Sequence, residues 1–315
     1  MRCFDTKIAI VGAGHVGSTL AYTCMLQGLA SQIALIDVDK NRAGGEAMDL
    51  NHCQQFVPNS LVVAGDSFEL VAGANIVVIT AGLAQRQGQS RIDLLCANAA
   101  LFSKIVPAII AHNKDCFILV VTNPMDVLSY VTYKLSGFPA NRVFGSGTVL
   151  DTARLRFLVA KRFGVSPKDV MAYVLGEHGD SEFVWWSGAS LAGSLLSAQQ
   201  KYDKKFEQEM LDHTRQSAYE IIAQKGSTSY AIALTVAKII KSIMFNQSRV
   251  FTVSTLTTDV VPEEVYLSLP VVLRADGNHV RLPVVLSEQE DNALRLSAQQ
   301  ICQGIVDAQK CLNSI

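Results

Sequence analysis

Lys7-Ile8-Ala9-Ile10-Val11-Gly12-Ala13-Gly14-His15-Val16-Gly17 decides the fold. An apolar run with no alternation of polar residues predicts a strand over Lys7–Val11 that is buried on both faces. Three glycines then lead straight into a helical pattern over Val16–Gln27. Gly12 permits a tight turn from strand to helix. Gly14 removes a side chain where a pyrophosphate must approach the backbone, and Gly17 lets the helix pack close to the sheet. The helix that follows offers unpaired N–H groups and a positive dipole end to phosphates. Asp37 stands twenty residues beyond Gly17, at the end of the next apolar run. A carboxylate there accepts hydrogen bonds from an adenosine ribose and repels a 2′-phosphate, so the pattern predicts NAD rather than NADP. A glycine turn beside an exposed aspartate would give the same letters; the strand before and helix after favour the nucleotide site. His15 reads as a bystander, because such a loop works through its backbone.

Outward from this unit, Ile33–Ile36, Leu61–Val63, Ile76–Thr80, Phe117–Val121 and Val143–Phe144 read as further strands. Arg42–Asn51 and Leu94–Asn113 read as helices between them. Strands alternating with helices imply a parallel sheet covered on both faces, and right-handed crossovers make it doubly wound. Beyond about Gly145 the pattern changes. Helices are expected over Val149–Phe163, Glu207–Gln224, Ser229–Met244 and Ser287–Asn313. A strand over Val170–Val174 leads into a glycine-rich loop. Val250–Thr255, Val271–Arg274 and Val280–Pro283 suggest antiparallel strands, with a turn at Asp276-Gly277-Asn278. The expected organisation is α/β: a doubly wound parallel-sheet domain over 1–145 and a mixed α/β domain over 146–315.

Composition narrows the function. The chain has 315 residues, 49% of them hydrophobic and 17% charged, so a large share of its surface must be buried. Lysine plus arginine number 27 and aspartate plus glutamate 28, which gives no electrostatic reason to expect nucleic acid or an anionic membrane as partner. The seven cysteines are scattered, with no CxxC spacing, so free thiols in a reducing compartment are expected rather than a disulfide frame or a zinc site. Asp5 and Lys7 interrupt any signal-like apolar segment, and no stretch reads as a membrane span. A cytoplasmic protein is expected.

Four further clusters carry chemistry. Gly176-Glu177-His178-Gly179-Asp180-Ser181 places an imidazole between glycines and carboxylates, where it can meet a small substrate and exchange a proton. Thr80–Arg91 follows the fourth strand at its carboxyl end, where doubly wound folds bind ligands; Gly82 and Gly88 suit a mobile lid, and Arg91 can polarise a carbonyl. As a solvated loop charge Arg91 would be unremarkable. Asn123-Pro124 is placed to bridge a nicotinamide amide and a substrate oxygen, although an ordinary turn would produce the same dipeptide. Asp151 and Arg154 lie one helical turn apart. They are either a routine ion pair or a split pair, with Asp151 facing His178 and Arg154 gripping a carboxylate.

These motifs, in this order, resemble those of the L-lactate/malate dehydrogenase family over essentially the whole chain. The resemblance implies strand order 3-2-1-4-5-6 in an NAD-binding domain. It implies that His178 is the acid/base with Asp151 as its partner, Arg154 the carboxylate anchor and Arg91 the carbonyl-polarising arginine. Asn123 would contact substrate and nicotinamide, and Thr228 would line the pocket. Val16, Arg42, Gly82 and Val121 join Gly12, Gly14, Gly17, Asp37 and Asn123 around the cofactor. A homotetramer or homodimer is implied, with glycolysis and fermentation as the setting, and no metal. Negative charge developing on the carbonyl oxygen of a 2-oxo acid would take a proton from His178. A non-catalytic relative would have been indicated by loss of His178, Arg91, Arg154 or Asp37, and all four are present.

In this family the residue six before the lid arginine reads the far end of the substrate. Here it is Gln85, which goes with pyruvate, whereas an arginine goes with a second carboxylate. Arg86 is adjacent, so malate or a broader 2-hydroxy acid stays open as the alternative. Many bacterial relatives bind fructose 1,6-bisphosphate through an arginine and a histidine. The matching positions are Arg156 and Met171, and a methionine cannot bind a phosphate, so weak or no activation is expected.

Overall fold

The computed structural model describes residues 6–83 and 90–314. Along the first half run β1 (Lys7–Val11), α1 (His15–Leu26), β2 (Gln32–Ile36), α2 (Lys40–His52), β3 (Leu61–Gly65), β4 (Ile76–Ile79), α3 (Arg91–His112), β5 (Phe117–Val120), α4 (Met125–Ser136) and β6 (Val143–Gly145). The second half has α5 (Val149–Phe163), β7 (Val170–Met171), β8 (Val174–Leu175), β9 (Phe183–Val184), β10 (Ser190–Leu191) and β11 (Ser194–Leu195). It continues with α6 (Lys204–Lys225), α7 (Tyr230–Met244), β12 (Arg249–Phe251), β13 (Ser254–Thr257), β14 (Val265–Ser268), β15 (Val271–Leu273), β16 (Val280–Arg281) and α8 (Glu288–Asn313).

The main sheet has eight strands in the order β14-β13-β6-β5-β4-β1-β2-β3. Strands β1 to β6 are parallel and follow the doubly wound order that the family resemblance implied. The period-2 rule assigns its two faces. Ile8, Ile10, Val78 and Leu119 point to one core with α1 and α7. Ala9, Val77, Ile79, Ile118 and Val120 point to the other, with α3, α4 and α8. All nine of these side chains are 0% exposed, and each large aliphatic buried this way contributes about 1.5–3 kcal/mol. A third core joins α5, α6, β7 and β8 through Leu155, Val159, Val174 and Phe206.

Four expectations need correction. The strand expected over Val250–Thr255 divides: β12 pairs antiparallel with β15, whereas β13 turns away, pairs with β14 and bridges to β6, extending the main sheet antiparallel. The strand expected over Val170–Val174 is two short ones, β7 and β8, in different sheets. Helix α3 begins three residues early, because Ser90 and Asp93 form a capping box that draws Arg91 into the first turn. Arg91 therefore stands on a helix and not in a loop. Finally, Cys96 on α3 and Cys311 on α8 form a disulfide with Cα atoms 5.4 Å apart. The two helices pack side by side, but 215 residues separate the cysteines, so no spacing rule reveals the pair. Cys24, Cys53, Cys116 and Cys302 are free.

Helix α3, with 22 residues, is apolar and long enough to cross a membrane by length and composition. Its Leu95, Phe102, Val106 and Ile109 are buried in the core against the sheet, so it reads as a core helix.

Candidate active site

At the carboxyl end of β1 the glycine loop has the shape its residues dictate. Gly12 has φ +109°, and a Cβ there would fall 2.6 Å from the Ala81 nitrogen. A Cβ on Gly17 would fall 1.8 Å from the Gly12 carbonyl oxygen, so α1 packs where no side chain fits. Gly14 faces open space: a Cβ there would meet nothing within 4 Å, so its backbone is approachable. Asp37 holds the loop as well as ending β2: one carboxylate oxygen accepts from Ala13 N at 2.7 Å and the other from Asp39 N at 2.9 Å. A cavity of about 450 Å³ opens here, lined by Gly12, Gly14, Asp37, Arg42, Gly82 and the exposed Val38, among others. Lys104 and the apolar Phe68, Leu101 and Ile105 complete its far wall. These four carried no sequence signal, because they belong to a turn and to the middle of α3. The donor loop, the Asp37 carboxylate and an apolar slot together fit a dinucleotide. Val16 sits in the first turn of α1 and Val121 just past β5.

A second cavity, of about 350 Å³, is lined by Arg91, Asn123, Pro124, Glu177, His178 and Asp180, together with residues of α6 and α8. Three distant segments converge on it. Asn123 precedes α4 and joins Pro124 through a cis peptide bond. His178 follows β8. Arg91 opens α3, where it pairs with Asp180 at 2.6 Å and contacts the Tyr219 hydroxyl at 3.5 Å. Both members of the Arg91–Asp180 pair are largely exposed, so the pair is worth little and can exchange partners.

Behind the cavity the His178 Nδ1 lies 2.6 Å from Asp151 Oδ2, and Arg154 donates to Asp151 Oδ1 at 2.8 Å. Asp151 faces His178 as expected, but its pair with Arg154 is not split: one carboxylate serves both partners. Arg154 is not among the residues that line this cavity. The Asp151 charge, reinforced by the hydrogen bond and opposed by burial, pushes the imidazole pKa up to about 9. Burial pushes the Asp151 carboxyl upward, but His178 and Arg154 outweigh it and hold it below the usual carboxylate range. Nδ1 is engaged by the carboxylate, which leaves Nε2 as the atom that can meet a substrate.

Of three further carboxyls around His178, Asp180 belongs to the quoted loop motif, and Asp126 and Glu182 were not foreseen. Asp126 accepts from the His178 backbone N at 2.8 Å and from Ser254 Oγ at 2.5 Å, which fixes the loop; burial pushes its pKa up to about 7. Asp180 holds Arg91. Glu182 lies buried beside the His178–Asp151 pair. Asp126 lies 52 and 128 residues from its two partners, and no local pattern links them. Thr228 lies in the turn between α6 and α7 and lines neither cavity. Gln85, Arg86 and Gly88 lie outside the described residues. Arg156 donates to the Ala172 carbonyl at 2.9 Å and stacks 4.6 Å from the Tyr173 ring centre, and Met171 is exposed beside it.

Comparison with known proteins agrees with this geometry. Residues 6–145 match the family of the lactate/malate dehydrogenase NAD-binding domain, and residues 148–311 that of the lactate/malate dehydrogenase α/β C-terminal domain. An L-lactate dehydrogenase of Clostridium botulinum is 43% identical over 302 residues, covering 94% of this chain and 95% of that protein. One from Acetivibrio thermocellus is 44% identical over 301 residues, with the same coverage of 94% and 95%. Among solved structures, a lactate dehydrogenase from a Medee basin deep-sea metagenome library superposes with a TM-score of 0.92 at 38% identity, covering 98% of this chain and 100% of the other. The minor L-lactate dehydrogenase of Enterococcus mundtii, in a ligand-bound form, gives 0.91 at 34% identity, with coverage of 96% and 98%. With its glycine loop, its Asp37 and its histidine–aspartate pair on a doubly wound sheet, the chain belongs to the lactate/malate dehydrogenase family and carries that family's NAD-binding domain.

Proposed function

We propose that this protein is an NAD-dependent L-lactate dehydrogenase, interconverting pyruvate and L-lactate with His178 as the proton donor and acceptor. The observation that carries the reading is the 2.6 Å His178–Asp151 contact on the wall of a cavity shared with Arg91 and Asn123. Bound NADH supplies the hydride and NAD accepts it in the reverse direction. His178 donates its proton from Nε2 to the substrate carbonyl oxygen while Asp151 stabilises the imidazolium. Arg91 leaves Asp180 to stabilise the charge developing on that oxygen. Arg154 anchors the substrate carboxylate, Asn123 orients the carbonyl, Gln85 is assigned the discrimination of the substrate's far end, and Thr228 a place in the pocket wall. Residues 1–145 serve as the cofactor domain and 146–315 as the substrate domain. Around the cofactor, Gly12, Gly14, Val16 and Gly17 form the phosphate-binding turn. Asp37 and Arg42 face the adenosine, and Gly82, Val121 and Asn123 the nicotinamide side. We further propose a cytoplasmic homotetramer or homodimer working in fermentative glycolysis.

The experiment that decides the substrate compares kcat/KM for pyruvate and for oxaloacetate with NADH. Pyruvate is expected to be the better substrate. A preference for oxaloacetate would show that a cation, with Arg86 nearest in sequence, reads the second carboxylate.

Arg156 is already committed to a backbone carbonyl and an aromatic face, and Met171 offers no charge. Titrating fructose 1,6-bisphosphate at low pyruvate is therefore expected to leave KM unchanged. A several-fold fall would mean that the phosphate charges are held elsewhere.

A further inference from the structure

Glu182 takes no part in the reaction as proposed, yet it lies against the groups that do. It is 2% exposed. Its Oε1 is buried with no hydrogen-bond partner among the described residues. A Glu182 oxygen, an Asp151 oxygen and a His178 ring nitrogen all lie within 4.8 Å of one another. On its other side stands Arg215 of α6, which donates through a terminal nitrogen to the Glu182 carbonyl; the Arg215 Nε is also buried and unpartnered among the described residues. An ionised carboxylate with a bare oxygen, set beside the Asp151 charge, is strongly disfavoured, whereas the protonated form is tolerated. At this separation, either form changes the potential at the imidazole.

We propose that Glu182 is a positioning residue which, backed by Arg215, acts through the His178–Asp151 pair and sets the pH range over which the imidazole keeps its proton. The charged groups facing Glu182 are Asp151 and Arg154 from α5, His178 from the loop after β8 and Arg215 from α6. Asp126 from α4 faces His178, and Glu177 in turn faces Asp126. Burial and the Asp151 charge push the Glu182 carboxyl up to about 8, against the pull of His178, Arg215 and Arg154. It is therefore protonated at neutral pH and ionises on the alkaline side, as His178 approaches its own loss of a proton. The new negative charge stabilises the imidazolium. The proton donor stays loaded further into the alkaline range than Asp151 alone would hold it.

The test is the pH profile of kcat/KM for pyruvate with NADH, measured for the parent, Glu182→Gln and Glu182→Asp. Glutamine keeps the size and the polar contacts but cannot ionise. The alkaline fall of Glu182→Gln is expected about one pH unit below that of the parent, from a unit charge about 5 Å away partly screened by Arg215. Glu182→Asp should return it toward the parental position. A packing role alone would scale the whole profile and leave the fall in place, which would overturn the proposal. If Glu182→Gln does not fold, Arg215→Gln makes the same test. Loss of that cation keeps Glu182 protonated to higher pH, so the fall again moves down, and an unmoved fall overturns the proposal. The inference rests on His178 being the proton donor. That reading fails separately, if His178→Gln retains pyruvate reduction, whatever the position of the alkaline fall.

Discussion

Replacing His178 by glutamine lowers kcat for pyruvate reduction by about a thousandfold, the scale of a positioned general acid. Glutamine fills much of the same space and can still donate a hydrogen bond. It cannot deliver a proton at neutral pH, so the charge that builds on the carbonyl oxygen is left to Arg91. Asp151 keeps Arg154 as a partner, so the buried carboxylate is not stranded and the fold should survive. The glycine-loop cavity is lined by other residues, so NADH binding should persist, and fluorescence titration of the variant with NADH checks this. A fall of less than about tenfold would remove His178 from the chemistry.

Replacing Arg154 by glutamine raises KM for pyruvate by about 100- to 10,000-fold, since two charge-assisted hydrogen bonds at about 1.5–3 kcal/mol each are lost. Arg154 is 13% exposed in its side chain and already donates to Asp151 Oδ1, so its orientation is fixed before substrate arrives. Removing it also deprives Asp151 of one partner, and kcat should fall with the rise in KM. Arg154→Lys should recover only part of the loss, because an ammonium cannot present two parallel donors. Steady-state kinetics separate the outcomes: a KM within a few-fold of the parent would leave Arg154 as no more than an ion-pair partner of Asp151.

The parts of the fold and site that depend on local chemistry were legible in the sequence. Gly12, Gly14, Gly17 and Asp37 lie within one strand–helix–strand unit, where close backbone approach dictates the glycines and ribose recognition the carboxylate. The parallel, doubly wound sheet follows from alternation, whereas the order of strands β1 to β6 was what the family resemblance implied. His178 and Asp151 stood out because each lies in its own motif, at a loop and at a helix start. What escaped was set by tertiary convergence. Asp126 meets His178 from α4, and Arg215 meets the Glu182 carbonyl from α6, each in an unremarkable local context, while Glu182 shares the His178 loop without belonging to its motif. The β13–β14 hairpin is too short to read: Val265–Ser268 has four residues, flanked by Glu263-Glu264 and Leu269-Pro270. The early starts of α2, α3 and α6 follow from side-chain caps at Asp39, Ser90 and Asp203, which precede the first apolar residue of each pattern.

The pH profile of pyruvate reduction by NADH tests the central claim most directly, namely that Asp151 keeps His178 protonated as the acid. Reduction uses the imidazolium, which persists below the raised pKa and is lost as pH rises through about 9. The predicted profile of kcat/KM is level through neutral pH and falls near 9, with lactate oxidation rising over the same range. A fall centred near 6.5, the value of an unperturbed histidine, would contradict the account.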